Sequence, residues 1–561
     1  VANALMHPGL IVIVAGALLA LLQGRVRAII ALGAPLAALA LVVSAPDGVA
    51  WRAEYLGLEI VPYAVDRLSR LFAIVFAIMV FGGALFALGQ KNRIELPAAF
   101  VYAGSAIGAT LAGDLVTLFV FWELMAVGST LVIWSAGTPR AYAASRRYLG
   151  VHLFGGVLLM AGVAGHVAAT GSTAFVPLAL DTPAHWLILA GFLINAGAPP
   201  LSAWLPDAYP EASWSGTVFL SAFTTKTAVY ALLRGFPGAE LLVWIGLFMV
   251  FYGIVYALLE NDMRRILAYS IVNQVGFMIT GIGIGTEVAL NGAAAHAFAH
   301  ILYKALLLMS AGSVLYATGR RKCTDLGGLF RTMPLTALCG GIGALAISSF
   351  PLTSGFVSKS MIGQAAVDQH LLWVSLALAA ASAGVFLHAG IKFPWFVFFQ
   401  KDSGLRPPEP PLNMRLAMLL FAALCVGLGI VYAPLYALLP YPVDYVPYTG
   451  AHVVVQLELL LYSGLAFFVL LPMLRRTLTI TLDTDWLYRR LAPVVLHGLD
   501  ALLARGEAAT RWMPGGLLLR IAAALQRHHG MDGVLARTWT TGGMALWVAI
   551  MLAAYLLLYY V

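Results

Sequence analysis

Apolar runs long enough to cross a bilayer succeed one another along almost the whole chain. They fall at roughly 6–22, 26–45, 65–88, 95–112, 115–136, 145–168, 185–201, 215–234, 240–259, 265–285 and 289–317, then 333–362, 371–399, 411–432, 453–474 and 541–560. A spanning helix needs about 20 apolar residues, so the pattern predicts an all-α polytopic membrane protein with about 14–16 transmembrane helices. Two stretches depart from it. Residues 46–64 alternate apolar and polar positions and predict a short external hairpin. Residues 476–540 carry leucine and arginine at helical spacing, which predicts a lateral amphipathic segment along the cytoplasmic interface or a neighbouring subunit. The predicted order is therefore 1–94, N-terminal helices with the hairpin; 95–400, the central spans; 411–474, C-terminal core helices; 476–540, the amphipathic segment; and 541–561, a final span.

Two runs are interrupted. In the stretch GFLINAGAPPLSAWLPDAYPEASWSG, Pro199 and Pro200 stop an apolar helix ahead of a loop rich in proline and acid. Proline removes a backbone donor and kinks a helix, and the freed carbonyls are tolerated at membrane depth only beside protein or a water-filled cavity. The next run carries Lys226 near its middle. A similar pattern, ISSFPLTSGFVSK with Pro351, breaks the run at 333–362. Paired broken spans in two halves point to a transporter built from inverted repeats.

Composition agrees, with 61% hydrophobic and 10% charged residues among 561. The net charge of +8 does not mark a nucleic-acid binder, because the basic residues cluster in short loops. With the N-terminus outside, Arg25/Arg27, Lys91/Arg93, Arg140/Arg146/Arg147, Arg264/Arg265, Arg320/Arg321/Lys322, Lys401/Arg406 and Arg475/Arg476 all fall on the inner side, as the positive-inside rule requires. Cys323, Cys339 and Cys425 have no metal-ligand spacing, so no disulfide framework, metal or cofactor site is predicted. A cleavable signal peptide is not predicted either, since the first run lacks a basic flank.

Glu123, Lys226, His296, His300, Lys304 and Lys392 stand inside apolar runs. Each central charge costs about 3 kcal/mol to insert, so several of them together imply a polar interior axis. His296, His300 and Lys304 step by four and share a helix face. Burial lowers a lysine's pKa and raises a glutamate's, while histidine titrates near neutrality, so the set suits proton relay. A metal or haem site at His296/His300 is disfavoured by the absence of a thiol or carboxylate on that face. Buried charges that merely fix helix packing are the competing structural account. Asp66, Asp114, Lys359 and His388 sit nearer the ends of runs and read as interfacial.

The segments FVFWELM, PPLSAWLPDAYPEA, FLSAFTTKTAVYALLR, ENDMRRILAYSIVNQVGF, HAFAHILYKALLLMSAGSV and HAGIKFPWFVFF occur in order between about residues 65 and 400. Together they resemble the antiporter-like subunits of respiratory complex I and of Mrp-type cation/proton antiporters. LSAFTTKTAVYAL and GIKFPWFVFF look most like the Mrp D subunit, and DTDWLYRRL also recurs in that group. The resemblance implies two inverted five-helix repeats with broken helices, here 95–235 and 240–400, and a multisubunit complex in a bacterial-type cytoplasmic membrane. It implies roles for Glu123 as the glutamate that pairs with a lysine in the broken helix, for Lys226 as the lysine of the next helix, for His300 and Lys304 as the connection to the second half, and for Lys392 near the path's end. Two positions depart. Asn195 stands where the family carries the glutamate's lysine partner, and Ser202 where it often carries a histidine. Asparagine cannot take up a proton, so the usual Glu–Lys switch is missing from the first half. Either Lys226 pairs with Glu123 instead, or only the second half conducts, or the chain is a scaffold. The resemblance implies a secondary transporter subunit, not an enzyme, exchanging protons for Na⁺ or another monovalent cation alongside other membrane subunits. The alternatives are a proton-translocating or scaffold component of a redox-driven or inorganic-carbon uptake complex.

Overall fold

The computed structural model describes residues 6–472, 483–511, 523–528 and 541–560. It divides into two units, residues 1–485 and 486–561. Among the described residues, eleven helices are long and apolar enough to cross a membrane, and four shorter apolar helices accompany them. The protein is a multi-pass, almost wholly helical membrane protein.

The first unit opens with α1 (Pro8–Leu21) and α2 (Gly24–Ser44), then a hairpin of β1 (Gly48–Tyr55) and β2 (Leu58–Val65). The strands pair antiparallel, with Ala53 opposite Ile60 and irregularities on either side of Trp51. There follow α3 (Arg67–Ala87), α4 (Glu95–Leu111), α5 (Leu115–Trp134) and α6 (Pro139–Thr170). Asp114 stands in the connection between α4 and α5, at the N-cap of α5. It is fully buried, caps α5 through the amide of Thr117 at 2.8 Å and takes the amide of Val61 at 2.7 Å, so one carboxylate starts a helix and fastens the hairpin to the bundle.

The central elements are α7 (Pro183–Ala196), α8 (Trp204–Ala208), α9 (Gly216–Leu220), α10 (Thr224–Gly235), α11 (Leu241–Leu259), α12 (Met263–Ile284) and α13 (Glu287–Thr318). Then come α14 (Pro334–Ile347), α15 (Ser354–Asp368), α16 (Leu372–Val385), α17 (Leu412–Ile430), α18 (Ala433–Ala437) and α19 (Gly450–Val469). The spans at 216–235, 263–284 and 287–318 are 100%, 100% and 94% enclosed by protein, against 17% for α19. Helices wrapped in protein are where ionisable side chains can be held, and the first of these carries Lys226 and the third His296, His300 and Lys304. Close backbone approach makes the wrapping possible. The α-carbon of Gly246 faces the carbonyl of Gly276, and that of Gly253 faces the carbonyl of Tyr269, so α11 lies directly on α12.

Both breaks expected from proline are present. The helix α7 stops at Ala196, where Gly197 turns left-handed at φ 78° and the chain passes through the cis Pro199–Pro200 bond. The gap between α14 and α15 contains Pro351, with Ser349 at φ 58° and Leu352 at φ 68°. A third break has no counterpart in the sequence pattern. The run at 215–234 is not one helix but α9 and α10, separated at Ser221–Phe223, so Lys226 lies just past an interruption. Beyond α16 the helix widens into π-helical turns at Phe386–Lys392 and Trp395–Phe399. Such turns are common at functional positions.

The second unit contains a π-helical turn at Leu487–Leu491, α20 (Ala492–Arg511) and α21 (Thr541–Tyr560). In α20, Leu499, Leu502 and Leu503 are exposed. Much of the amphipathic segment expected at 476–540, with Arg475 and Arg476, lies outside the described residues.

Candidate functional site

The break before Lys226 is fixed from outside its own sequence. The Tyr102 hydroxyl takes the amide of Thr224 at 2.9 Å and lies 2.7 Å from its Oγ1; the Tyr148 hydroxyl lies 3.2 Å from the same Oγ1. Thus α4 and α6 supply the polar groups that start α10. Lys226 is fully buried and donates to the freed carbonyl of Ser221 at 2.7 Å and to Thr225 Oγ1 at 3.1 Å.

Lys359 meets its break in the same way. It is 5% exposed and donates 3.2 Å to the carbonyl of Ile347, the last residue of α14. Lys392, at the end of the first π-helical turn, donates to the carbonyls of Ala257 (3.0 Å), Leu258 (2.5 Å) and Glu260 (2.6 Å), at the C-terminus of α11. Helix C-termini present unpaired carbonyls and a partial negative charge, which suits an ammonium. Lys304 donates to Ser270 Oγ at 2.9 Å and to the carbonyl of Leu267 at 3.5 Å, both on α12. Among the described residues none of these four lysines forms an ion pair.

Histidines fill the intervals. His296 lies 3.1 Å from Gln274 Oε1 and 3.1 Å from Ser358 Oγ, and Tyr303 donates to the same Gln274 oxygen at 3.0 Å. His300 is fully buried with no hydrogen-bond partner at either ring nitrogen. The charges of Lys226, Lys304, His296 and Lys359 all bear on it. Those of Lys304, Lys359 and Lys392 bear on His388, which is also fully buried and sits 2.8 Å from the Gly384 carbonyl. The structure therefore buries all five of Lys226, His296, His300, Lys304 and Lys392. It adds Lys359 and His388, which sequence position alone places at the interface.

Glu123 is not brought to Lys226. Its carboxylate, half-buried on α5, has Oε1 unpartnered and lies against the α-carbon of Gly156, where a Cβ would overlap it. Asn195 is fully buried with both amide atoms unpartnered, and a Cβ on Gly155 would stand 3.7 Å from its Oδ1. Ser202 Oγ is likewise buried and unpartnered. His152 shares the Gly155/Gly156 face of α6. Its Nδ1 is 2.9 Å from the Tyr148 carbonyl, leaving Nε2 as a buried acceptor without a partner, and its ring stands edge-on to Trp204 at 4.6 Å. Sequence reasoning missed His152. Orphaned buried polar atoms call for water or an ion, and here Glu123 and Asn195 meet at one glycine notch, with His152 on the same face of α6.

A hub joins the halves. Arg264 donates to the carbonyls of Pro210 (2.8 Å) and Ala212 (2.8 Å) in the first proline loop. Arg321 pairs with Glu211 at 3.0 Å and Asp262 at 2.8 Å, and Arg265 with Glu260 at 2.9 Å. Burial pushes the Asp262 carboxyl up, against the pull of Arg321 and Arg264. Because Lys392 is held by the Glu260 carbonyl, residues 260–262 touch both the end of the lysine row and the first broken helix's loop.

Residues 112–384 match the family described as NADH:quinone oxidoreductase/Mrp antiporter, transmembrane. The chain is 30% identical over 410 residues to the D subunit of the Na⁺/H⁺ antiporter of Alkalihalophilus pseudofirmus, covering 67% of this chain and 82% of that one. It is also 30% identical over 392 residues to the N subunit of the NADH-quinone oxidoreductase of Desulforudis audaxviator, covering 64% and 77%. Among solved structures, a chain of the archaeal membrane-bound sulfane sulfur reductase superposes with a TM-score of 0.72 at 23% identity over 99% of this chain and all of that one. A chain of the Mrp complex from Dietzia gives 0.65 at 23% identity, over 82% and 95%. At that identity the structural likeness shows the fold.

Proposed function

The chain belongs to the NADH:quinone oxidoreductase/Mrp antiporter membrane family, and on that premise we propose that it is the proton-carrying subunit of a multisubunit Na⁺/H⁺ antiporter. One observation carries the reading: the buried row Lys226, His300, Lys304, Lys359, His388, Lys392, in which lysines rest on backbone carbonyls or a serine hydroxyl rather than on carboxylates. A buried lysine without a fixed counter-charge exchanges its proton readily, because desolvation favours the neutral amine and a positive neighbour strengthens that preference. A proton entering at one end repels the next along the row. In this reading water, in place of a lysine, links Glu123 at its notch with Asn195 to the path. The two broken helices are read as corresponding parts of inverted repeats at 95–235 and 240–400, with the N-terminus outside and the arginine-rich loops in the cytoplasm.

The test uses inverted vesicles carrying the complete native complex in an antiporter-deficient background, with a pH-sensitive dye. Na⁺ should dissipate a preformed proton gradient in wild type and in Asn195→Lys, and should fail to do so in Lys226→Ala and Lys392→Ala. Unchanged transport in both alanine variants would sink the roles assigned to these lysines.

The identity to the N subunit of an NADH-quinone oxidoreductase favours a second reading, in which the same row moves protons for a redox-driven complex. In that case wild-type vesicles stay silent to Na⁺, and the purified complex shows iron–sulfur or flavin absorbance from other subunits.

A further inference from the structure

Outside the buried row, α6 and α7 bring two imidazoles together. His166 stands one turn before the end of α6 and His185 in the first turn of α7. His166 Nδ1 lies 3.0 Å from His185 Nε2, with the rings tilted at 45°. The helices beneath them are locked at close range. A Cβ on Gly162 would stand 2.6 Å from the Ala184 carbonyl oxygen, and one on Gly165 3.1 Å from the Ala184 Cβ. Thr173, in the connection between the two helices, donates 2.5 Å to the Glu59 carbonyl of β2. The pair therefore lies at the end of the bundle that carries the β-hairpin, at the opposite end of α6 from Arg140, Arg146 and Arg147.

The partners fix where the hydrogens sit. His185 Nδ1 lies 2.5 Å from the Ala179 carbonyl and 3.0 Å from Asp181 Oδ1. Both are acceptors, so Nδ1 keeps its hydrogen and the neutral ring turns the Nε2 lone pair toward His166. His166 Nδ1 either supplies the one hydrogen between the rings or, in its other tautomer, aims a second lone pair at the same point. Two lone pairs so placed need a cation between them. Two Zn–N bonds of about 2.0–2.1 Å at a tetrahedral angle put the nitrogens about 3.3 Å apart, a few tenths of an ångström wider than the pair already stands. Asp181, on the far nitrogen of His185, supplies the carboxylate that holds a ligating imidazole in the right tautomer and raises its basicity. Imidazole ligands suit first-row transition ions, whereas Mg²⁺ and Ca²⁺ prefer oxygen. Among the described residues no group of three or more His, Cys, Asp or Glu is placed to share a metal, so water fills the remaining positions. The Asp181 side chain, 66% exposed, marks an open approach.

We propose that His166 and His185 form a two-histidine site for a transition-metal ion of the Zn²⁺ class, with Asp181 as the residue that orients His185. A bound ion ties the end of α6 to the start of α7, the helix that stops at Ala196 before the first break. Occupancy therefore restrains α7 against the glycine notch of α6. That restraint on transport rests on the proton-carrying reading above; metal binding does not.

Binding is read by titrating the purified native complex with Zn²⁺ in competition with a chromogenic zinc indicator. Wild type should hold one Zn²⁺ at least about tenfold more tightly than His166→Gln or His185→Gln. Asp181→Asn keeps both ligands and changes only an exposed side chain, and it should weaken that ion about tenfold. His497→Ala, which removes an exposed histidine elsewhere, should leave it in place. Equal uptake by wild type and both glutamine variants would mean an adventitious ion only and would overturn the site. Unchanged affinity in Asp181→Asn would overturn the orienting role. The restraint has its own arm, in vesicles formed with Zn²⁺ on both sides of the membrane. The Na⁺-dependent dye response should fall severalfold in wild type and stay unchanged in His185→Gln. No fall in wild type, or an equal fall in both, would overturn the restraint. A wild type silent to Na⁺ even without Zn²⁺ would overturn the transport reading, while zinc uptake would still decide the site.

Discussion

The ammonium of Lys226 is held 2.7 Å from the carbonyl oxygen of Ser221, five residues earlier in the same interrupted helix. The break that frees the carbonyl is thus also what makes a buried lysine tolerable. A continuous helix would have spent that carbonyl on its own ladder and left the ammonium without a partner. Lys359 repeats the arrangement on Ile347.

An uncharged replacement of similar length should therefore separate stability from function. Lys226→Met removes a fully buried charge that burial disfavours, so the folded complex should gain about 1–3 kcal/mol. Cation-dependent proton movement should disappear at the same time. The thermal midpoint of the purified complex and the vesicle dye assay read the two effects. A lowered midpoint together with lost activity would mean the lysine is needed for packing alone.

The glycine notch on α6 gives a second test. A methyl group on Gly156 would overlap the Glu123 carboxylate, so Gly156→Ala should displace the carboxylate at an overpacking cost of about 1–3 kcal/mol. Transport should fall severalfold while the complex still assembles. Gly150→Ala on the same helix meets no atom within 4 Å and should leave both measurements unchanged. Normal transport in Gly156→Ala would show that the position of Glu123 does not matter.

These tests fall partly on residues that sequence makes visible and partly on others. The spans are legible because their apolar runs exceed what a soluble helix carries, and two breaks because proline declares them. The Ser221–Phe223 break is not, since SAFTT contains neither proline nor glycine and the interruption depends on Tyr102 and Tyr148 from other helices. The burial of Lys359 and His388 is hidden in the sequence for a related reason. Position within an apolar run translates into depth only along a continuous helix. With α15 beginning only at Ser354, Lys359 lies beside the break and reaches the carbonyl of Ile347. His152 gives no signal, being one of two histidines in a long apolar helix. Its meaning comes from Gly155 and Gly156 on its face and from the orphaned atoms they admit.

The last prediction concerns the link between the halves. Arg321 bridges Glu211 of the first proline loop to Asp262, two residues after the Glu260 carbonyl that holds Lys392. Removing the guanidinium leaves Asp262, only 6% exposed, without its ion-pair partner, so Arg321→Met should destabilise the protein by about 2–4 kcal/mol. Arg321→Met combined with Asp262→Asn removes the stranded charge and should recover more than half of that loss, as a double-mutant cycle on thermal unfolding would show. Transport separates a bolt from a coupling element. If residues 260–262 merely hold the fold together, the double variant regains activity along with stability. If they transmit the charge state of Lys392 to the first broken helix, stability returns while Na⁺-dependent proton movement stays low. The second outcome is expected, because the double variant restores neither the Arg321–Glu211 bridge nor the Asp262 carboxylate that connect the two sites.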